Sequence, residues 1–227
     1  MANQRTGKYG GTYYGSLFDE SETLTNEEMQ VNARYLYEVL HYVYGWSMKA
    51  VAGALGNIQH ESAINPGRWQ SDNVGNTSSG YGLVQWTPAS KYIDWCTEQG
   101  YSDPSEMDNN IARIIYEVEN NVQYYKTDDY PETFKQFTTS DKDPYYLACA
   151  FAWNYERSYV VLYGTAEEQE ALRQQRGGSA AGWYSYLYEY YQGGTPDQPD
   201  LPDIPTFRRK KKKYNFILFN RRRRAIW

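Results

Sequence analysis

The sequence predicts a mainly α-helical body with one irregular loop or short hairpin region, followed by a linker and a basic tail. Three observations carry that prediction. Apolar residues recur at three- and four-residue spacing through most of the chain, each such stretch opens on a capping residue or a Pro, and Gly gathers among polar residues in one central segment. Residues 1–24 mix Gly and Tyr without period and read as an extended N-terminal arm. Thr25 with Glu28 forms a capping box, and Met29, Ala33, Leu36, Leu40 and Val43 follow at helical spacing up to Gly45. Ser47 caps a second helix, Met48 to about Ser62, which the Asn65-Pro66-Gly67 turn breaks. Gly67 to Gly82 is the loop or short hairpin. Thr87-Pro88 reads as a cap with Pro at the first helical position, starting a helix that Gly100 ends. Asp103-Pro104-Ser105-Glu106 repeats the device before a long helix whose Met107, Ile111, Ile114, Ile115, Val118 and Val122 form a core-facing stripe. Pro131 opens a short helix with Phe134 and Phe137, and Asp143-Pro144 opens another through Leu147, Phe151 and Trp153. Two weaker helical stretches, Glu167 to Gln175 and Trp183 to Tyr191, complete the body at 25–192. Residues 193–206, GGTPDQPDLPDIPT, form a stiff Pro/Asp linker, and 207–227 are the tail.

Composition narrows the function classes. At 227 residues, 41% apolar and 22% charged, the chain is long enough to bury a core, and no run approaches the ~18 apolar residues of a membrane-spanning helix. The acid-rich first thirty residues lack the apolar region of a secretory signal. Cys96 and Cys149 give no disulfide framework and read as small core residues. His41 and His60, far apart and without a thiolate cluster, give no structural zinc site, so no metal or cofactor is expected and the chemistry rests on carboxylates or hydroxyls. The segment 207–227 carries ten Lys and Arg and no acid, which leaves 13 basic against 28 acidic side chains in 1–206, a net charge near −15. A body this acidic is a poor nucleic-acid binder, because phosphate contact needs a cationic surface. The 25 Tyr and 7 Trp suit a surface that stacks on sugar rings, although half-buried packing accounts for the majority of such residues.

The informative stretch is Gly56 to Pro88. On a helical wheel Val51, Leu55, Ile58 and Ser62 share one stripe, Ala54, Ile58 and Glu61 run along its edge, and His60 points the opposite way. Glu61 is thus an acid at the rim of an apolar face and at the negative end of the helix dipole. Desolvation and dipole both favour the neutral carboxyl, the state a general acid needs near neutral pH. The competing reading is a Glu whose carboxylate simply reaches solvent.

The run Gly56-Asn57-Ile58-Gln59-His60-Glu61-Ser62, then Asn65-Pro66-Gly67, then Gly80-Tyr81-Gly82-Leu83-Val84-Gln85-Trp86-Thr87-Pro88 resembles the tail-associated lysozyme domain of phages that infect Gram-positive bacteria. More loosely it is similar to the glutamate-serine and Gly-Leu-x-Gln motifs of goose-type lysozymes and lytic transglycosylases, and Asn154-Tyr155-Glu156-Arg157 resembles the phage family's closing motif. The resemblance spans roughly 26–192 and implies an all-helical lysozyme-like domain with a glycan groove, and it carries the catalytic acid onto Glu61. The implied function is a virion-associated peptidoglycan glycosidase of muramidase type, placed in the virion tail, or in the host cytoplasm before assembly, and acting on the glycan strands of the cell wall during genome delivery. A lytic transglycosylase or soluble lysis enzyme with the same acid, and a noncatalytic wall-binding tail protein, are the alternatives. Some phage relatives carry a metallopeptidase domain next, and the basic tail in its place gives no support for peptide cleavage.

Beside that acid, Ser62, Tyr81, Gln85, Trp86, Asn154 and Tyr155 are the candidate substrate-binding residues. Ser62 is equally a capping group, Trp86 equally a core residue, and Tyr155 supplies a hydroxyl near the reacting sugar. Glycosidases usually need a second carboxylate; Asp72 is the first candidate and Glu156 the reserve, with a surface pair to Arg157 as the plain reading of the latter. In the tail, the apolar run Tyr214 to Phe219 lies between two cationic clusters and suits docking on virion tail proteins or an anionic surface.

Overall fold

A computed structural model describes residues 2–15 and 24–192; the linker and tail expected at 193–227 lie outside the described residues. The N-terminal segment, expected from the sequence as an extended arm, holds a docked hairpin. Strands β1 (Asn3–Thr6) and β2 (Thr12–Gly15) pair antiparallel from Asn3 opposite Gly15 to Thr6 opposite Thr12. Side chains with no sequence period fasten it to the body. Arg5 donates to Asp103 at 3.3 Å and to Glu106 at 3.2 Å, Tyr13 donates to Glu106, and the Asn32 side chain brackets Tyr14 by accepting from its N–H at 2.6 Å and donating to its carbonyl at 2.7 Å.

Helix α1 (Asn26–Tyr37) starts at the expected capping box, Thr25 accepting from the Glu28 N–H and Glu28 from the Thr25 N–H. It then widens into a π turn, Glu38–Val43, and stops at Gly45, whose φ is +75°. Helix α2 (Met48–Ser62) begins at Ser47, whose hydroxyl accepts from the Ala50 N–H, and ends at Ala63 in the left-handed region. The wheel describes its last turns, but Ala50 to Ile58 are all buried, so α2 is a central helix with no solvent face along that stretch. Its Ala and Gly residues allow this, because two later helices, Pro144–Phe151 and Ala166–Gln192, both close on it. A Cβ on Gly56 would stand 2.6 Å from the Arg176 carbonyl oxygen, so only glycine permits that approach.

Helix α3 (Ser90–Gln99) starts later than expected. The Thr87-Pro88 peptide is cis, and Thr87 donates to the Gln85 carbonyl instead of capping. Gly100 ends the helix as the sequence suggests. Helix α4 (Met107–Asn120) follows an Asp103 turn and buries Met107, Ile111, Ile114 and Ile115. Helix α5 (Phe134–Thr138) is capped by Thr133 with Gln136 and not by Pro131, whereas α6 (Pro144–Phe151) begins at Asp143-Pro144 as expected. A second π turn, Ala152–Glu156, continues α6, and α7 (Tyr159–Tyr163) was not foreseen. The two weak stretches are one helix, α8 (Ala166–Gln192), running through Gly177-Gly178 and Gly182. Gly177 is required by packing: a Cβ there would meet the Tyr145 ring at 2.2 Å. Cys96 and Cys149 are free and buried. Among the described residues no helix is long and apolar enough to cross a membrane.

Candidate active site

Glu61 sits in the last turn of α2 at the wall of a cleft of about 520 Å³, in the size range of ligand sites. Gln85 and Glu156 line the same cleft, together with Arg68, Trp69, Gln70 and Thr87 from the central loop. That loop is held by short bridges rather than a strand ladder, Trp69 to Tyr81 and Tyr81 to Trp86. The Gln85 amide is fixed by donating to the carbonyls of Arg68 at 3.0 Å and Gly82 at 2.9 Å.

Burial pushes the Glu61 carboxyl from the ordinary 4.5 up to about 7. One oxygen accepts from Arg176 Nη2 of α8 at 2.7 Å, and that cation acts in the opposite sense, toward ionisation, so burial is the larger effect. Glu156 ends the second π turn, and burial raises its carboxyl well above the usual range, with the charges of Glu61 and Glu117 adding to the rise. Its Oε1 is buried without a hydrogen-bond partner, a costly arrangement for an ionised group and a smaller cost for a neutral one. Two carboxyls that each disfavour the other's ionisation hold one proton between them over a span of pH. Such a pair offers one group able to give a proton and one able to take it.

The other expected binding residues face inward, which corrects their assignment to the groove. Ser62 is 1% exposed and donates to the Ile58 carbonyl one turn back. Tyr81 and Trp86 are buried and stack against Tyr92, and Asn154 is bound to the Tyr130 carbonyl and the Thr127 hydroxyl. Tyr155, 1% exposed, donates to Glu117, which also accepts from Trp86 Nε1 at 3.0 Å and Arg113 Nε at 2.9 Å. The physical reason differs by type: the aromatic rings are stabilised by leaving water, and the polar groups of Ser62, Asn154 and Tyr155 are accommodated inside because each is hydrogen-bonded. Asp72 does not line the cleft but pairs with Arg68 at 3.3 Å, and the carboxyl that shares the cleft with Glu61 is that of Glu156. The sequence reading missed Trp69, Arg68, Gln59 and Arg176. Trp69 lies inside the informative stretch and is its aromatic at the cleft, whereas Arg176 has no local signal because it meets Glu61 across a helix crossing.

The family model described as phage tail lysozyme matches residues 31–187. The chain is also 45% identical over 143 residues to "Morphogenesis protein 1" of Bacillus phage B103, a match that covers 62% of this chain and 38% of that protein. The chain therefore spans well under half of that relative's length. With most of its length matched by the family model, this chain belongs to the phage tail lysozyme family, and its mainly helical architecture agrees with a lysozyme-like domain.

Proposed function

From that membership we propose that the protein is a virion-associated glycosidase that cleaves the glycan strand of bacterial peptidoglycan, with Glu61 as general acid and Glu156 as its partner carboxylate. The observation that carries the reading is the shared cleft, in which burial holds the Glu61 carboxyl at about 7 and a second carboxyl keeps one oxygen buried without a partner. At neutral pH a group near 7 is in part protonated and in part ionised, the condition for effective proton transfer. Of the two singly protonated forms the reactive one has the proton on Glu61 and Glu156 ionised, although burial favours the other; from it Glu61 gives its proton to the glycosidic oxygen as the bond to the anomeric carbon breaks. A water adds to that carbon and loses its proton to the ionised carboxyl of Glu156. Trp69 gives the sugar an aromatic face, while Gln85 and Gln70 line the wall with polar side chains. The family's tail association, and a phage relative named for morphogenesis, support a place in the virion where local cleavage of the wall accompanies genome delivery.

Digestion of purified peptidoglycan followed by mass spectrometry of the fragments tests this reading. Hydrolysis yields new reducing ends. Anhydro-muramyl ends throughout would show a transglycosylase, in which a substrate hydroxyl attacks instead of water, and unchanged glycan would show a noncatalytic wall-binding domain.

A further inference from the structure

Arg176 reaches Glu61 from α8, a helix to which the motif residues do not belong. Its side chain is 11% exposed, and its guanidinium touches α2 at two points one turn apart: Nη1 donates to the Asn57 carbonyl at 3.2 Å and Nη2 to Glu61 Oε1 at 2.7 Å. The crossing is built to allow this, since the Arg176 backbone lies against Gly56, where any side chain would collide. We propose that Arg176 is a positioning residue that fixes the Glu61 carboxyl on the cleft wall and, through its charge, sets the pH window in which the Glu61–Glu156 pair carries one proton. The inference rests on the reading of Glu61 as the acid and deepens it.

Stability alone does not account for the arrangement. A buried ion pair is often no better than a well-packed apolar pair of the same volume, because each charge loses its hydration. Burial lowers Arg176 to about 10, so the guanidinium stays cationic at neutral pH and presents a full charge to the carboxyl. Because Nη1 is tied to the Asn57 carbonyl, Nη2 meets the carboxyl from a fixed direction and restrains its rotation, which is what a proton donor aimed at one oxygen requires. The other charged groups around Glu61 are placed differently. On α2 itself His60 is exposed and bonded to Ser179 of α8; from the central loop Arg68 is paired with Asp72; from the second π turn Glu156 opposes Glu61 with like charge. Arg176 is therefore the cation in hydrogen-bonding contact with the acid, and it does not itself line the cleft.

Removing the guanidinium favours the protonated forms of both carboxyls. If the singly protonated pair is the active form, both limbs of the pH profile of kcat move upward together. An opposite charge in contact is worth at least about one pH unit. The test uses the full chain as Arg176→Met, which keeps the apolar stem, with kcat and KM measured across pH on soluble glycan fragments and the Glu61 carboxyl followed by ¹³C NMR titration. The expected result is an upward movement of both limbs by about one pH unit. KM should change less than twofold, kcat at the native optimum should fall about tenfold, and Arg176→Lys should return the limbs toward their native positions. Where Arg176→Met does not fold, Arg176→Gln takes its place, because its amide still donates to the Asn57 carbonyl. Limbs that superimpose on the native ones, with any loss matching the unfolded fraction, overturn the proposal and leave Arg176 a packing residue. Two measurements separate the two readings: if Glu61→Gln remains active the acid assignment fails by itself, and if the Glu61 carboxyl titrates unchanged in Arg176→Met the present inference fails by itself.

Discussion

Replacing Glu61 by Gln should abolish cleavage and, at alkaline pH, strengthen the fold. The two effects have one cause. Burial lifts the carboxyl from 4.5 to about 7, so the folded chain holds this proton more tightly than the unfolded chain does. Below pH 4.5 both states are protonated and the group has no effect on stability. As pH rises toward 7 the unfolded chain ionises first, and stability is lost progressively until the folded carboxyl also ionises; above 7 the loss is constant. At about 1.4 kcal/mol per pH unit the full loss is about 3 kcal/mol, an upper value because Glu61 and Glu156 titrate together. Gln does not titrate, and its amide oxygen can still accept from Arg176, so the fixed cost of the exchange is independent of pH. The stability of Glu61→Gln relative to the native chain should therefore rise by about 3 kcal/mol between pH 4 and pH 8. Urea unfolding at several pH values, with the slope of each transition checked for constancy, measures that difference. In parallel, clearing of cell-wall suspensions at the native optimum should slow by about 10²- to 10⁴-fold. A stability difference that stays flat from pH 4 to pH 8 would refute the neutral-acid argument, and native activity in the Gln variant would place the acid elsewhere.

Three further outcomes follow from the geometry. Glu156→Gln should lose about 10²-fold or more in kcat on glycan fragments and, by the same linkage, gain stability relative to the native chain as pH rises above the usual carboxyl range, whereas Asp72→Asn, which breaks only a partly exposed pair with Arg68, should stay within about threefold in kcat. Gly177→Ala puts a methyl 2.2 Å from the Tyr145 ring, and calorimetry should show a destabilisation of about 1–3 kcal/mol as α6 and α8 are forced apart. A chain ending at Gln192 should keep cleavage of soluble glycan but lose salt-sensitive association with anionic surfaces or virions, because all ten cationic residues of 207–227 are removed; equal association of both chains would deny the tail that role.

The helix starts that can be read from the chain are those in which a short polar side chain satisfies the first amide groups locally: Thr25 with Glu28, Ser47 with Ala50, and Asp143 ahead of Pro144. Pro by itself misleads. Pro88 and Pro131 lie outside helices that begin at Ser90 and Phe134, because a fixed φ suits a turn as well as a first helical residue. Continuity is lost to sight in α8, where Gly177, Gly178 and Gly182 lower the local propensity although Gly177 is demanded by Tyr145 packing. The docking of the N-terminal hairpin depends on Arg5, Tyr13 and Asn32 meeting residues far along the chain, and no periodicity encodes such contacts.

The same limit explains which residues of the candidate site the motifs reveal. In Gln85-Trp86 and in Tyr155-Glu156 the sequence offers both members as candidates, but in each pair the polar neighbour lines the cleft and the aromatic one turns inward. Adjacent side chains leave a bridge or a tight turn in different directions, so burying one member presents the other. Trp86 and Tyr155 meet at a single carboxylate, Glu117, which is 1% exposed and further held by Arg113. Glu117 on α4 thus ties the loop that presents Gln85 to the π turn that presents Glu156. The motif aromatics act on the cleft through this strut: they tie its walls together, and Gln85, Trp69 and the two carboxyls line the space between them.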